Sequence, residues 1–97
     1  MAVKKPQDHK RKYHDVNDLF EFVTRKGDKL EMPYLENVDY GVIEDMMGLS
    51  QEEQTKYLLT NLLSEDDYQT LRKNGLADFV DLIEKWNEES AVTLGEL

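Results

Sequence analysis

The chain has 97 residues, 39% of them hydrophobic and 34% charged, with a mean hydropathy of −0.71 and no cysteine. Those values describe one small domain and exclude disulfide scaffolds, cysteine-ligated zinc and thiol chemistry. No apolar run approaches the roughly 20 residues of a membrane span, and the start Met1-Ala2-Val3-Lys4-Lys5-Pro6 lacks the apolar core of a secretory signal, so a cytosolic address is expected.

The net charge of −9 is unevenly distributed. Residues 1–12 carry five basic side chains and one acid, whereas the remaining 85 residues hold 7 basic and 20 acidic side chains. A body that acidic repels a phosphate backbone, because nucleic-acid affinity comes largely from neutralising phosphates with Lys and Arg. Residues 1–15 are polar and without apolar periodicity, and read as a disordered basic arm. Both histidines, His9 and His14, fall in this arm, where no rigid shell would orient them for catalysis. Their five-residue spacing also misses the i, i+4 arrangement of a helical zinc pair.

The folded part is expected over residues 16–90, with 91–97 as a flexible tail. Leu19, Phe20, Phe22 and Val23 form a β-prone run, and Arg25-Lys26-Gly27-Asp28-Lys29 supplies turn chemistry in which Gly27 tolerates positive φ. Leu30, Met32 and Tyr34 alternate with Glu31 and Pro33 as a returning strand, and Pro33 marks an edge or an end. A two-stranded hairpin needs a packing partner, which the downstream helices provide. Asp39 caps the first helix, with Val42, Ile43, Met46 and Met47 as its apolar set, and Gly48 takes the left-handed position of a Schellman ending. Ser50-Gln51-Glu52-Glu53 is a capping box before Leu58, Leu59, Leu62 and Leu63. Ser64-Glu65-Asp66-Asp67 repeats the start signal, and Asn74-Gly75 reads as a glycine stop. The closing helix spans Leu76 to Glu89, its stripe of Leu76, Phe79, Val80, Ile83 and Trp86 widened by Leu82. The fold class is therefore mainly α, an α+β arrangement with an N-terminal hairpin.

Chemistry-bearing patterns are scarce. The five glycines stand singly, so there is no phosphate-cradling loop. Glu52-Glu53 and Glu65-Asp66-Asp67 sit where helix N-termini favour carboxylates, Glu88-Glu89 lies on a solvated face, and none has EF-hand spacing. The pattern points to a non-enzymatic interaction protein with no cofactor and no metal.

Three stretches resemble the tail assembly chaperones of long-tailed bacteriophages: Leu30-Glu31-Met32-Pro33-Tyr34-Leu35, then Asp39-Tyr40-Gly41-Val42-Ile43, and the run from Phe79 through Trp86 to Ser90-Ala91-Val92-Thr93-Leu94-Gly95-Glu96. The chain departs from that family in its lysine-rich head and in ending Gly-Glu-Leu where Gly-Glu-Ser is common. The resemblance implies a protein that coats the helical tape measure protein in the host cytoplasm, keeps it soluble, assists recruitment of tail tube subunits and is absent from the mature virion. It also implies two products related by a ribosomal frameshift, and the ending at Leu97 suits the short one. Self-association is compatible with the wide closing stripe. On this reading client or self contacts fall on Phe79, Val80, Leu82, Ile83 and Trp86, with Met46 and Met47 as adaptable contacts; no nucleic acid and no membrane is expected as partner. An acidic inhibitor or DNA mimic is the competing class, which requires carboxylates at phosphate-like spacing on one surface. A helix-turn-helix regulator would require a basic recognition helix, and the helices here are acidic instead.

Overall fold

A computed structural model describes residues 12–93. Strand β1 (Leu19–Val23) and strand β2 (Lys29–Pro33) form an antiparallel hairpin in which Phe20 faces Met32 and Phe22 faces Leu30. Period-two alternation puts these four side chains on one buried face, while Leu19, Glu21 and Val23 point outward. The connecting turn closes through Thr24 N–H to the Asp28 carbonyl (2.8 Å) and Gly27 N–H to the Thr24 carbonyl (2.9 Å). Gly27 takes φ +96°, a backbone conformation that disfavours any Cβ. On the outer face Glu21 lies directly opposite Glu31, a repulsive cross-strand pair. Lys29 bridges both carboxylates at 3.4 and 3.6 Å, and these contacts, the Glu21 hydrogen bond foremost, raise the lysine pKa.

After the hairpin a 3₁₀ turn (Leu35–Asn37) leads into four α-helices among the described residues: α1 (Tyr40–Met47), α2 (Gln51–Leu62), α3 (Glu65–Arg72) and α4 (Leu76–Glu89). The serine-based starts form as read. Ser50 Oγ accepts from Glu53 N–H while Glu53 Oε1 accepts from Ser50 N–H, and Ser64 Oγ accepts from Asp67 N–H. The other three helix signals resolve differently. Asp39 occupies the N-cap position of α1 without a side-chain cap hydrogen bond. Gly48 is right-handed (φ −84°, ψ −1°), and the helix ends instead on a tightened turn in which Leu49 N–H donates to the Met46 carbonyl. Gly75 is extended (φ −77°, ψ 164°) and opens α4 rather than closing α3 in a left-handed stop. Its amide is capped by Asp78, which is 2% exposed and whose other carboxylate oxygen accepts from Arg25 N–H at 2.8 Å. One buried acid thus starts the last helix and ties it to the hairpin turn.

The hairpin's inner face is covered by α4, with α3 against β2, α1 against α2, and α2 against α3. Leu82 (0% exposed) and Trp86 (1%) enter the core beside Phe20, Leu30 and Met32. The indole N–H donates to the Pro33 carbonyl at 2.9 Å, so the polar end of the largest core side chain is satisfied. Asp67 extends from α3 to accept from Glu31 N–H at 3.2 Å, which occupies an outward amide of the edge strand.

Both boundaries of the domain lie further out than expected. His14, assigned to the arm without a rigid shell, stacks on Tyr34 with ring centroids 3.6 Å apart, and its Nδ1 lies 2.6 Å from Glu36 Oε2. The same carboxylate accepts from His14 N–H (2.9 Å) through Oε2 and from Ala91 N–H (2.8 Å) through Oε1. Ser90 is buried with its hydroxyl accepting from Leu35 N–H, and Val92 packs against the core, so the start of the expected tail is docked. Local polarity misled here, because the partner that fixes both segments is 22 and 55 residues away. His9, the rest of the basic arm before Lys12 and the ending Leu94-Gly95-Glu96-Leu97 lie outside the described residues.

Trp86→Ala should cost about 3–5 kcal/mol, and Trp86→Phe, which strands the Pro33 carbonyl, about 1–3 kcal/mol, both read from urea unfolding midpoints. Burial alone would raise the Glu36 carboxyl, but hydrogen bonds from the His14 amide and ring and the Ala91 amide outweigh it and hold the pKa below the ordinary carboxylate value of 4.5. A depressed folded-state pKa contributes stability that is present above 4.5 and is lost as pH falls through the folded value. Protection of the Ala91 amide, its exchange rate compared with the intrinsic rate at the same pH, should therefore fall on acidification below pH 4.5, and Glu36→Gln should remove this step.

Candidate functional site

The closing stripe divides once it is wrapped on the hairpin. Positions 82 and 86 face inward and are sealed, as is Met46 in α1 at 5% exposure. These three, expected as client contacts, are core residues in the folded chain, because the hairpin needs a large apolar partner and α4 provides it. Phe79 and Ile83 lie half-buried at the seam, while Met47 and Val80 are exposed. The seven residues therefore do not form one surface. Met47 ends α1, and of the seven only Phe79 lines the apolar groove between α2, α3 and α4.

That groove, about 420 Å³, opens where α2, α3 and the first turn of α4 meet. Its apolar lining comes from Leu59, Tyr68, Leu71, Leu76 and Phe79. Leu59 and Leu71 form a buried floor, Phe79 and Tyr68 are half-buried, and Leu76 stands at the lip, 76% exposed. Gly75 decides this arrangement locally. By opening α4 in an extended conformation it leaves Leu76 at the first helical position, overhanging the core that Leu82 and Trp86 fill one to three turns later. Val80, one turn after Leu76, continues the same apolar strip outward. Lys56, Arg72 and Glu52 stand on the rim.

Leu59, Tyr68, Leu71 and Leu76 are not among the contact residues that the sequence suggests. A stripe on a wheel diagram does not say which of its two edges is covered. The detectable signal was the glycine before Leu76, which separates an apolar residue from the preceding helix.

A second groove, about 410 Å³, lies between Tyr13, Leu35, Val38, Tyr40, Ile43 and Val92, over the docked segments that carry His14 and Ala91. Among the described residues no group of three or more His, Asp or Glu side chains is placed to hold a metal ion, and no helix is long and apolar enough to cross a membrane. The His14–Glu36 pair is the one close imidazole–carboxylate contact among the described residues, and its carboxylate is fully engaged with backbone amides. The groove between α2, α3 and α4 thus combines an apolar floor with a lining that also holds Glu52, Thr55, Lys56, Arg72 and Asn74.

Comparison of the chain with known protein families, with curated proteins and with solved structures finds no match.

Proposed function

We propose that this protein is a non-catalytic tail assembly chaperone of a long-tailed bacteriophage, which holds apolar segments of the tape measure protein in the host cytoplasm until tube subunits assemble around them, and which is left out of the mature virion. The observation that carries the proposal is the open groove with Leu76 at its lip and Leu59 and Leu71 as its floor. Helix-in-groove recognition reads apolar side chains at i, i+3, i+4 and i+7, and a groove walled by helices accepts that pattern. The resemblance in Leu30–Leu35, Asp39–Ile43 and Phe79–Glu96 gives the client its identity.

The excess of acid over base complements this role. A long apolar client covered by many copies of a chain at −9 becomes a particle whose coats repel one another. Client contact shifts accordingly from Trp86 and Leu82, which hold the fold, to Leu76, Phe79 and Val80.

Co-expression with the tape measure protein of the same phage tests the proposal. The wild-type chain should keep that protein soluble and co-purify with it. Leu76→Asp combined with Val80→Asp should reduce recovery of the complex about tenfold or more, the size of a lost interface hot spot, while circular dichroism and unfolding midpoint stay near wild type because both positions are exposed. Equal recovery with the double variant would sink the groove as the client site.

A further inference from the structure

We infer that the groove selects a partner helix of one polarity: an apolar stripe bordered by Glu or Asp side chains, which Lys56 on α2 and Arg72 on α3 receive from two of its walls. This inference rests on the chaperone reading for the helical nature of the partner, and adds which helices it takes.

Positive charge is placed unevenly in the fold. Residues 12–93 contain 8 basic and 19 acidic side chains. Five of the eight, Arg25, Lys26, Lys56, Arg72 and Lys73, gather at the groove end of the molecule. The hairpin turn is brought there by Arg25 N–H on Asp78 (2.8 Å) and Lys26 Nζ on the Lys73 carbonyl (2.9 Å). Lys56 and Arg72 line the groove directly. None of the five forms an ion pair among the described residues; Arg72 reaches only the neutral Gln69 amide oxygen, at 3.3 Å.

The acids nearby are accounted for. Asp78 is buried on two backbone amides, and Asp28 accepts from Asn74 Nδ2 at 3.3 Å. Glu52 alone remains on the rim, one turn before Lys56 and without a salt bridge to it. The α3 dipole explains basic residues at 72 and 73, since cations favour a helix C-terminus. It does not explain Lys56, which lies mid-helix on the neighbouring wall.

Screening makes this local pattern decisive over the net charge. At physiological ionic strength the Debye length is about 8 Å, so a carboxylate at the rim responds to Lys56 and Arg72 more than to distant acids. The apolar floor favours a peptide over nucleic acid, because a phosphate backbone brings no apolar stripe to bury against Leu59, Leu71, Leu76 and Phe79.

The test uses the full chain and two synthetic 20-residue fluorescent helices with the same leucine stripe, flanked either by Glu or by Lys. At 0.15 M salt the Glu-flanked helix should bind about fivefold or more tighter, as expected for two partly exposed ion pairs. Lys56→Gln with Arg72→Gln should abolish that preference, and Leu76→Asp should weaken both helices. Equal or tighter binding of the Lys-flanked helix, with both still dependent on Leu76, would overturn the polarity and leave the groove intact. Failure of both helices to bind would overturn the groove itself. Tighter binding of a short DNA duplex through Lys56 and Arg72, or a chain dimer in sedimentation that Leu76→Asp dissolves, would assign the surface to another occupant and overturn the inference.

Discussion

The structure depends on one helix covering one hairpin. Two strands cannot bury their own inner face, and Phe20, Phe22, Leu30 and Met32 would remain wet without a partner of matching size. Leu82 and Trp86 of α4 supply it, and the indole N–H fixes the register of the contact on the Pro33 carbonyl. Proline suits that place, because its own missing amide costs nothing where strand pairing ends and its carbonyl is free to accept. Long-range polar contacts then lock the arrangement: Asp78 joins α4 to the hairpin turn, Asp67 joins α3 to the edge strand, and Glu36 gathers the segments at residues 14 and 91. Each of these carboxylates accepts from backbone amides, so the acidic character of the chain is partly structural.

That covering has a consequence for recognition. A helix carrying an apolar face wider than its partner leaves a margin, and here the margin is Leu76 and Val80 at the start of α4. At that margin α2 and α3 contribute Lys56 and Arg72 to the groove lining, and Lys26 of the hairpin turn lies near them through its contact with the Lys73 carbonyl. Apolar surface and cations without an ion pair are therefore adjacent, an arrangement that on the proposed reading would let a coat protein accept one kind of helix while repelling other copies of itself.

Much of the fold was legible. Period-two alternation gave the hairpin, the turn glycine its positive φ, and the serine caps gave the starts of α2 and α3, because each signal acts within about four residues. Gly48 and Gly75 depart from the left-handed expectation for the same reason: a glycine permits such a stop without requiring one, and here Gly48 is right-handed and Gly75 extended. The site was less legible. Met46, Leu82 and Trp86 carry the residue types of an interface, yet residue type does not distinguish a core face from a docking face.

The sequence by itself determined the element types, the apolar face of each helix and the acidic excess, all of which follow from spacing and composition. Only the tertiary structure decided which edge of the closing stripe is sealed, that His14 and Ala91 share one carboxylate, and that Lys56 and Arg72 border a single groove. Those facts depend on contacts between residues far apart in the chain, and one sequence carries no record of which distant segments meet.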